Sequence, residues 1–372
     1  MSRYDVVVLG GGIIGCAVAE ELASRGTSVC LIERRAIGSE ASRAAAGILS
    51  AHMDVERPGA FLELCLASRA RYAHWVRHLQ QRSGVDAGYH LDGILYLALA
   101  EADVRRMAAR MRWQHRRGLQ VERWSAARTR REEPALSGSV TAGFAFPDEA
   151  QVDNAKLMEA LAVACRKAGV ACLEGEEARR LLLRRGAVSA VELTSGRRIA
   201  APVVVNCLGS WAGEVRGQPL AFPVTPAKGQ ILAFHAPPRM FRRAVMSEAA
   251  YGVQRRDGRL LVGSTVEHVG FDRRVTLEAM SGILNGFRRF VSPRALAQCA
   301  FHEAWIGFRP YTTDRKPILG ATRTPGLYAA TGHFRHGILL APITAHLIRE
   351  LIRTGRSSLD ISPFAPQRFR QS

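Results

Sequence analysis

An α/β fold, with a parallel nucleotide-binding sheet and an inserted α+β domain of antiparallel strands, is what three features of this sequence predict. The first is the glycine turn Gly10-Gly11-Gly12-Ile13-Ile14-Gly15, set between a β-branched run and a segment of helical composition. The second is the return of short apolar strands, at 203–206 and 326–330, after long excursions of the chain. The third is a block from 220 to 308 in which strands succeed one another and turn back around Asp257-Gly258.

In chain order, Tyr4 to Leu9 reads as a strand, Cys16 to Arg25 as a helix stopped by Gly26, and Val29 to Glu33 as a second strand ending on an acid. Each position in the turn has a physical reason. Gly10 permits the tight turn, Gly12 lets the backbone approach a pyrophosphate, Gly15 lets the helix pack on the strand, and the helix N-terminus offers donors to phosphate. Glu33 is placed to accept hydrogen bonds from ribose hydroxyls. The small residues of 42–49 read either as a closely packed helix or as a backbone surface on which a flat ring can lie.

Helices are expected over 59–83 and 101–117, with an apolar strand at 93–97 between them, another strand at 144–146, and a helix over 154–168 after Val152-Asp153. A strand near 170–174 and a hairpin over 187–200 follow, and the strand at 203–206 then returns the chain to the parallel sheet. The block after 220 supplies strands at 229–235, 244–247, 250–255 and 259–264 and a helix around 276–290. A last strand at 326–330, the loop Thr331-Gly332 and a helix from Ile338 to Arg353 close the fold, and a tail with Pro363 and Pro366 reads as a loop. The expected organisation is a discontinuous nucleotide domain (1–85, 146–220 and 305–372) and a substrate domain (86–145 and 221–304).

The length of 372 residues suits two such units, at roughly 100–200 residues each. Hydrophobic residues make 47% and charged residues 23% of the chain, as in ordinary globular proteins, and no apolar run approaches the ~20 residues of a membrane span. The net charge of +19 and pI near 10.7 raise nucleic acid as a partner, but only four of the 52 basic residues are lysine. The arginines are scattered, and pairs such as Arg105-Arg106 and Arg242-Arg243 have no interleaved aromatic residues, so they read as solvated faces and no nucleic-acid partner is expected. Seven cysteines form no CxxC and no zinc-like cluster, which predicts reduced, buried thiols, a cytoplasmic protein and no metal. Glu20-Glu21 follow the N-terminal apolar run where a signal peptide would carry small residues, so export is not expected.

Several blocks carry a resemblance. They are the glycine turn, Ala44-Ala45-Ala46-Gly47, Val152-Asp153, Val205-Asn206-Cys207-Leu208-Gly209-Ser210-Trp211, Thr225-Pro226-Ala227-Lys228-Gly229-Gln230, Gly307-Phe308-Arg309-Pro310, and the run from Thr331 through His333-Phe334-Arg335-His336-Gly337 to Pro342. In this order, from residue 4 to about 352, they resemble the FAD-dependent D-amino-acid oxidase family, and most of all its glycine oxidases of thiamine thiazole biosynthesis. The resemblance implies a Rossmann-like FAD domain of the p-hydroxybenzoate-hydroxylase type, non-covalent FAD, and oxidation of an amine to an imine with oxygen reduced to hydrogen peroxide. Family relatives that pass electrons to a quinone or a partner protein supply the alternative acceptor. An FAD-dependent nucleic-acid-modifying protein is a third reading, suggested by the charge alone. A family-like homo-oligomer is compatible with the sequence, which carries no oligomerisation signature.

Hydride transfer to a flavin leaves the protein mainly positioning and electrostatics to supply. A substrate carboxylate needs a clamp, and the planar fork of arginine fits it. Arg309, in an expected Gly-Phe-Arg-Pro turn, and Arg335, before the last helix, match the family's carboxylate-binding arginines, and Tyr251 matches its substrate tyrosine. For FAD the resemblance assigns Gly10, Gly12, Ile13, Ile14, Gly15, Glu33 and Arg34, then Ser42, Arg43, Ala45, Ala46, Gly47 and Ile48. Ala178, Cys207, Gly209 and Trp211 are assigned to the same role. Gly332, His333, Arg335, His336, Gly337 and Ile338 are expected against the flavin, where the last helix's N-terminus would stabilise the charge that arrives with the hydride. Two departures stand out. Arg315 and Lys316 add cations near the expected rim, read either as a preference for a second acidic group or as solvated charges. No cysteine lies between 300 and 372, where covalent relatives attach FAD.

Overall fold

The computed structural model describes residues 2–218 and 222–369. The domain limits expected at 1, 220, 221 and 372 lie outside the described residues.

The run Val6–Leu9 sits in the middle of a six-stranded sheet, in the order Ile318–Ala321, Leu327–Thr331, Val203–Asn206, Val6–Leu9, Val29–Glu33, Ala171–Glu174. All neighbours are parallel except the outermost strand Ile318–Ala321. Both faces are covered, which is why these strands read as continuous apolar runs. Val6 and Val8 face a core formed with the helices Ile13–Ala23, Ala60–Ser83, Asn154–Lys167 and Gly337–Thr354. Val7 and Leu9, one residue out of phase, face the opposite core under the sheet formed by Ser2–Arg3, Arg198–Ala200, Ala187–Leu193 and Ala178–Arg184.

The second large sheet has eight strands, in the order Ala300–Tyr311, Thr225–His235, Arg259–Gly263, Tyr251–Gln254, Ala244–Met246, Ile94–Ala98, Ala142–Phe146, Glu122–Ser125. The strands of the block after 220 pair antiparallel with one another, as expected, and the sheet is mixed only because Ala244–Met246 runs parallel to Ile94–Ala98. That pair joins two distant sequence segments, 94–96 and 244–246, which meet side by side and not through a hairpin.

Two expectations are corrected here. Gly307-Phe308-Arg309-Pro310 is not a turn but the end of the twelve-residue edge strand Ala300–Tyr311, paired along the length of Thr225–His235. This strand also runs through the boundary expected at 304–305. The strand Ala178–Arg184, absent from the sequence reading, pairs with the expected hairpin.

All seven cysteines are free and at least half-buried. Burial pushes the Cys30 thiol up to about 12 and that of Cys172 to about 11, so neither is a thiolate at neutral pH. Among the described residues no helix is long and apolar enough to cross a membrane.

Candidate active site

A cavity of about 410 Å³ opens at the carboxyl ends of the parallel strands and extends to the face of the eight-stranded sheet, where ligands of open α/β sheets bind. At its nucleotide end the wall is backbone. Gly10 has φ +98°, and a Cβ there would lie 2.6 Å from the Cys207 carbonyl oxygen. A Cβ on Gly15 would lie 1.8 Å from the Gly10 oxygen, so Gly15 is what lets the helix Ile13–Ala23 sit against the turn. The Glu33 carboxylate accepts the Gly11 N–H at 2.7 Å and the Arg35 N–H at 2.9 Å, which fixes it at the cavity wall with lone pairs left for hydroxyl donors. Ser42 Oγ accepts the Ile13 N–H at 2.8 Å, while the N–H groups of Gly12 and Ile14 meet no acceptor among the described residues. Beside them the Arg34 guanidinium lies 4.0 Å from the Trp211 ring centroid, and Trp211 stacks on Phe271 at 4.8 Å.

In the middle of the cavity lie the segment Ala44–Ile48 and the start of the helix Gly337–Thr354. Trp305 Nε1 donates to the Ala44 oxygen at 3.1 Å, and Asn154 Nδ2 donates to the Ser42 and Arg43 oxygens at 2.8 and 2.7 Å. The last helix has no side-chain cap, and its first-turn residues Gly337 and Ile338 line the cavity. Two helix N-termini therefore face one space, each with unsatisfied N–H groups and a positive dipole end. His333 is buried, with Nε2 3.1 Å from Thr344 Oγ1. Burial, reinforced by His336, lowers its pKa to about 3, so the ring is neutral. The His336 ring is buried, with neither nitrogen partnered among the described residues, and packs edge-on to Phe61 at 5.0 Å.

At the far end the wall is made of side chains. Arg309 donates to the Thr265 oxygen at 3.0 Å and to Ser264 Oγ at 2.8 Å. It has no carboxylate within ion-pair distance among the described residues, and burial lowers its pKa from the usual arginine value. A Cβ on Gly229, diagonal to Arg309 across the strand pair, would lie 2.1 Å from Arg309 Nη1, so the Thr-Pro-Ala-Lys-Gly-Gln stretch makes room for the guanidinium. Tyr251 OH would lie 2.3 Å from a Cβ on Gly263; burial pushes its phenol pKa up and the Arg309 charge partly offsets this. Arg335 lines the same space, is exposed, and makes no hydrogen bond or ion pair among the described residues. The neighbouring segment 50–54 is held by Glu149, a fully buried carboxylate that accepts the Ala51 and His52 N–H groups at 2.6 and 2.8 Å and lies 2.8 Å from His52 Nδ1.

Most residues singled out from the sequence line this one cavity. Arg43 does not: it sits on the short helix Ala41–Ala44 with its side chain in solvent, its backbone N–H donates to the Gly38 oxygen at 3.2 Å, and its carbonyl accepts from Asn154. Gly15 and Gly332 also stand off the wall. Gly15 acts by its closeness to Gly10, and Gly332 takes φ +71° where a Cβ would meet Thr312 at 2.8 Å. Arg315 and Lys316 do not reach the cavity; Arg315 is exposed, and Arg368 takes the Asp314 carboxylate beside them. Ser264, Thr265, Asn154, Trp305 and Phe271 had no signal in the sequence. They are ordinary residue types whose importance comes only from where the sheets place them.

The residues present fit FAD. The cavity offers unpaired backbone N–H groups at two helix ends, presents a fixed carboxylate at the second strand, and is closed to side chains where Cβ atoms would collide with backbone.

The model of a family described as FAD dependent oxidoreductase (DAO) matches residues 5–351. The bifunctional protein ThiO/ThiG of Synechocystis sp. is 39% identical over 371 residues, which cover 98% of this chain and 54% of that protein. The chain thus spans about half the length of that relative. The glycine oxidase of Geobacillus kaustophilus is 32% identical over 367 residues, covering 98% of this chain and 96% of that one. The crystal structure of glycine oxidase from Geobacillus kaustophilus superposes with a TM-score of 0.95 at 31% identity, over 100% of both chains. Since the family match runs from the first parallel strand into the last helix, across a cavity shaped for a dinucleotide, this chain belongs to the DAO family of FAD-dependent oxidoreductases.

Proposed function

We propose that the protein oxidises glycine, or another small amino acid or amine, to the imine with non-covalently bound FAD, and that oxygen is the final acceptor and leaves as hydrogen peroxide. The observation that carries this reading is Arg309, a desolvated arginine at the cavity wall whose guanidinium, among the described residues, hydrogen-bonds only to a carbonyl and a hydroxyl. A buried charge without a counter-ion is costly, and a carboxylate entering the cavity supplies that counter-ion. In this reading the six-stranded sheet and its helices hold FAD, and the eight-stranded sheet presents the groups that hold the substrate.

When bound, FAD supplies the two-electron acceptor for the hydride that leaves the α-carbon. The chain's own residues do the rest. Arg309 pairs with the substrate carboxylate through its free N–H groups, with Tyr251 OH adding a hydrogen bond and the unpaired Arg335 a second positive charge. Fixing the carboxylate fixes the α-carbon attached to it, which turns a chance encounter into an oriented one. Ile231, Met246 and Phe334 line the cavity, exclude water and leave room for a small side chain. The unsatisfied N–H groups at Gly337 and Ile338 hold negative charge that develops at the helix end.

The test is anaerobic mixing of the yellow holoprotein with a panel of small amino acids, followed by air. Bleaching by glycine or sarcosine, then fast reoxidation with stoichiometric peroxide, is the expected result. Slow reoxidation in air moves the acceptor to a quinone or protein, and no bleaching by any neutral amino acid removes the substrate assignment.

A further inference from the structure

The strand Tyr251–Gln254 reaches the cavity with its first residue and the back of the cavity with the residue just past its end. Side chains alternate along a strand, so 251, 253 and 255 share a face, and on that face Tyr251 and Val253 pack in one cluster with Ala46, Ile48 and Trp305. Arg255 is 7% exposed and has no carboxylate within ion-pair distance among the described residues. The acids beside it, Asp153 and Asp257, both pair with Arg259. The Arg255 guanidinium donates instead to three neutral oxygens, Val152 O at 2.7 Å, Ala46 O at 2.8 Å and Asn154 Oδ1 at 2.9 Å. Burial lowers its pKa to about 10, and a charge so placed is costly unless each donor is used.

Its donors act on the segment at the middle of the cavity. Arg255 holds the Ala46 carbonyl directly and orients Asn154, whose amide holds those of Ser42 and Arg43. Trp305 takes the Ala44 carbonyl, and the Val152 N–H takes that of Gly47 at 2.9 Å. The N–H groups of Ala45, Ala46 and Gly47 meet no acceptor among the described residues, and all three residues line the cavity. Gly47 has φ +68°, and a Cβ there would lie 1.9 Å from the Val152 oxygen and 3.0 Å from Arg255 Nη2. The glycine is required by how closely this strap passes.

We propose that Arg255 is a positioning residue of the cofactor site: it ties back the carbonyls of the small-residue segment so that its free amides are presented to the flavin. The amides that would hold the flavin and the phenol that would hold the substrate then hang from the two ends of one strand, and their separation does not depend on how two domains close. The proposal rests on the cavity being the FAD site.

The experiment compares wild-type holoprotein with Arg255→Met, which keeps the length without donors, and Arg255→Lys, which keeps the charge and some of the bonds. Circular dichroism and melting report the fold; FAD release followed by flavin fluorescence, the flavin midpoint potential and anaerobic reduction by substrate report the role. In Arg255→Met we expect a folded protein whose FAD dissociation constant rises at least tenfold and whose midpoint potential falls, because donors that favour the reduced anion are lost. Its limiting rate of reduction falls at least tenfold while the substrate dissociation constant stays within threefold. Arg255→Lys lies between. Should Arg255→Met fail to fold, Trp305→Phe, which removes only the bond to Ala44, is expected to raise the FAD dissociation constant about threefold. A lowered melting temperature with FAD affinity, potential and reduction rate all within twofold of wild type would overturn the proposal and leave the cofactor reading intact. Failure of the wild-type chain to retain FAD would overturn both.

Discussion

Where the cavity meets the turn Gly10–Gly15, its wall is backbone drawn from residues 10–33; where it meets Arg309, its wall is side chains drawn from positions 251, 264, 309 and 335. In the proposed reading the first end recognises its ligand by leaving side chains out: amides and a helix end would do the binding, and glycines keep Cβ atoms out of the way. In the same reading the second recognises by charge and needs a guanidinium in a low-dielectric place, which no local stretch of chain can build. The first is therefore intolerant of any added atom, and the second of the loss of one particular group.

The sharpest break in that contrast is Gly15→Val, which places branched atoms where even a Cβ would lie 1.8 Å from the Gly10 oxygen. The cost exceeds the ~1–3 kcal/mol of ordinary overpacking; a colourless, FAD-free product is expected, read from the flavin absorbance of the purified chain. Yellow protein with normal FAD affinity would show that the helix can shift to accept the residue.

Next in size is Arg309→Met. Truncating one partner of a desolvated charge pair costs ~2–5 kcal/mol, so kcat/KM for the proposed amino-acid substrate should fall by roughly 30- to 5,000-fold. The flavin spectrum and FAD affinity should not move, and if they do the two ends are not separate.

Acid tests the groups between the ends. His333 has its pKa lowered from 6.5 to about 3, so below pH 6.5 the unfolded chain binds a proton that the folded chain refuses. Stability is lost as pH falls from 6.5 towards 3, by about 1.4 kcal/mol per unit from this group. Glu149 works in the same direction lower down. Burial raises its pKa, but the His52 hydrogen bond and charge and the Ala51 and His52 amides hold it below 4.5, and the stability it supplies above that value is lost as pH falls through its folded pKa. Melting temperatures from pH 7 to 4 should decline more steeply for wild type than for His333→Gln. Equal slopes would mean that His333 is protonated in the fold.

Tyr251→Phe is the smallest change. In the proposed reading one hydrogen bond to a carboxylate already held by arginine is worth ~0.5–1.5 kcal/mol, or a roughly two- to twelvefold rise in the substrate dissociation constant measured anaerobically. A large fall in the limiting reduction rate with unchanged binding would give the hydroxyl a role beyond grip.

Much of the fold was legible because its signals are local. Strand, glycine turn, helix and acid fall in order over residues 4–33, and the hairpin around Asp257-Gly258 has its turn residues in place. The strand Ala300–Tyr311 was not legible, because Gly307 and Pro310 are turn-forming residues. It is an edge strand, where proline is tolerated, and Gly307 is required by Ala44, whose Cβ would lie 2.6 Å from one placed there. Ala178–Arg184 was missed because its arginines hide the alternation; only Leu181 is deeply buried. In the site, Arg309 and Arg335 could be picked from 48 arginines only by the motifs around them, whereas Arg255 sits in no motif that marks it and Arg43 sits in one that misplaces its side chain.

By itself the sequence determined the nucleotide turn, the alternation of strands and helices, and the cofactor class, since these depend on missing Cβ atoms, on side-chain periodicity and on neighbours in the chain. The tertiary structure decided which arginines are buried without a carboxylate, which carbonyls are tied back so that amides are free, and which end of the cavity carries charge. The reason is physical: the energy of a charge or a hydrogen bond depends on what surrounds it, and those surroundings come from strands and loops brought together only when the sheets have formed.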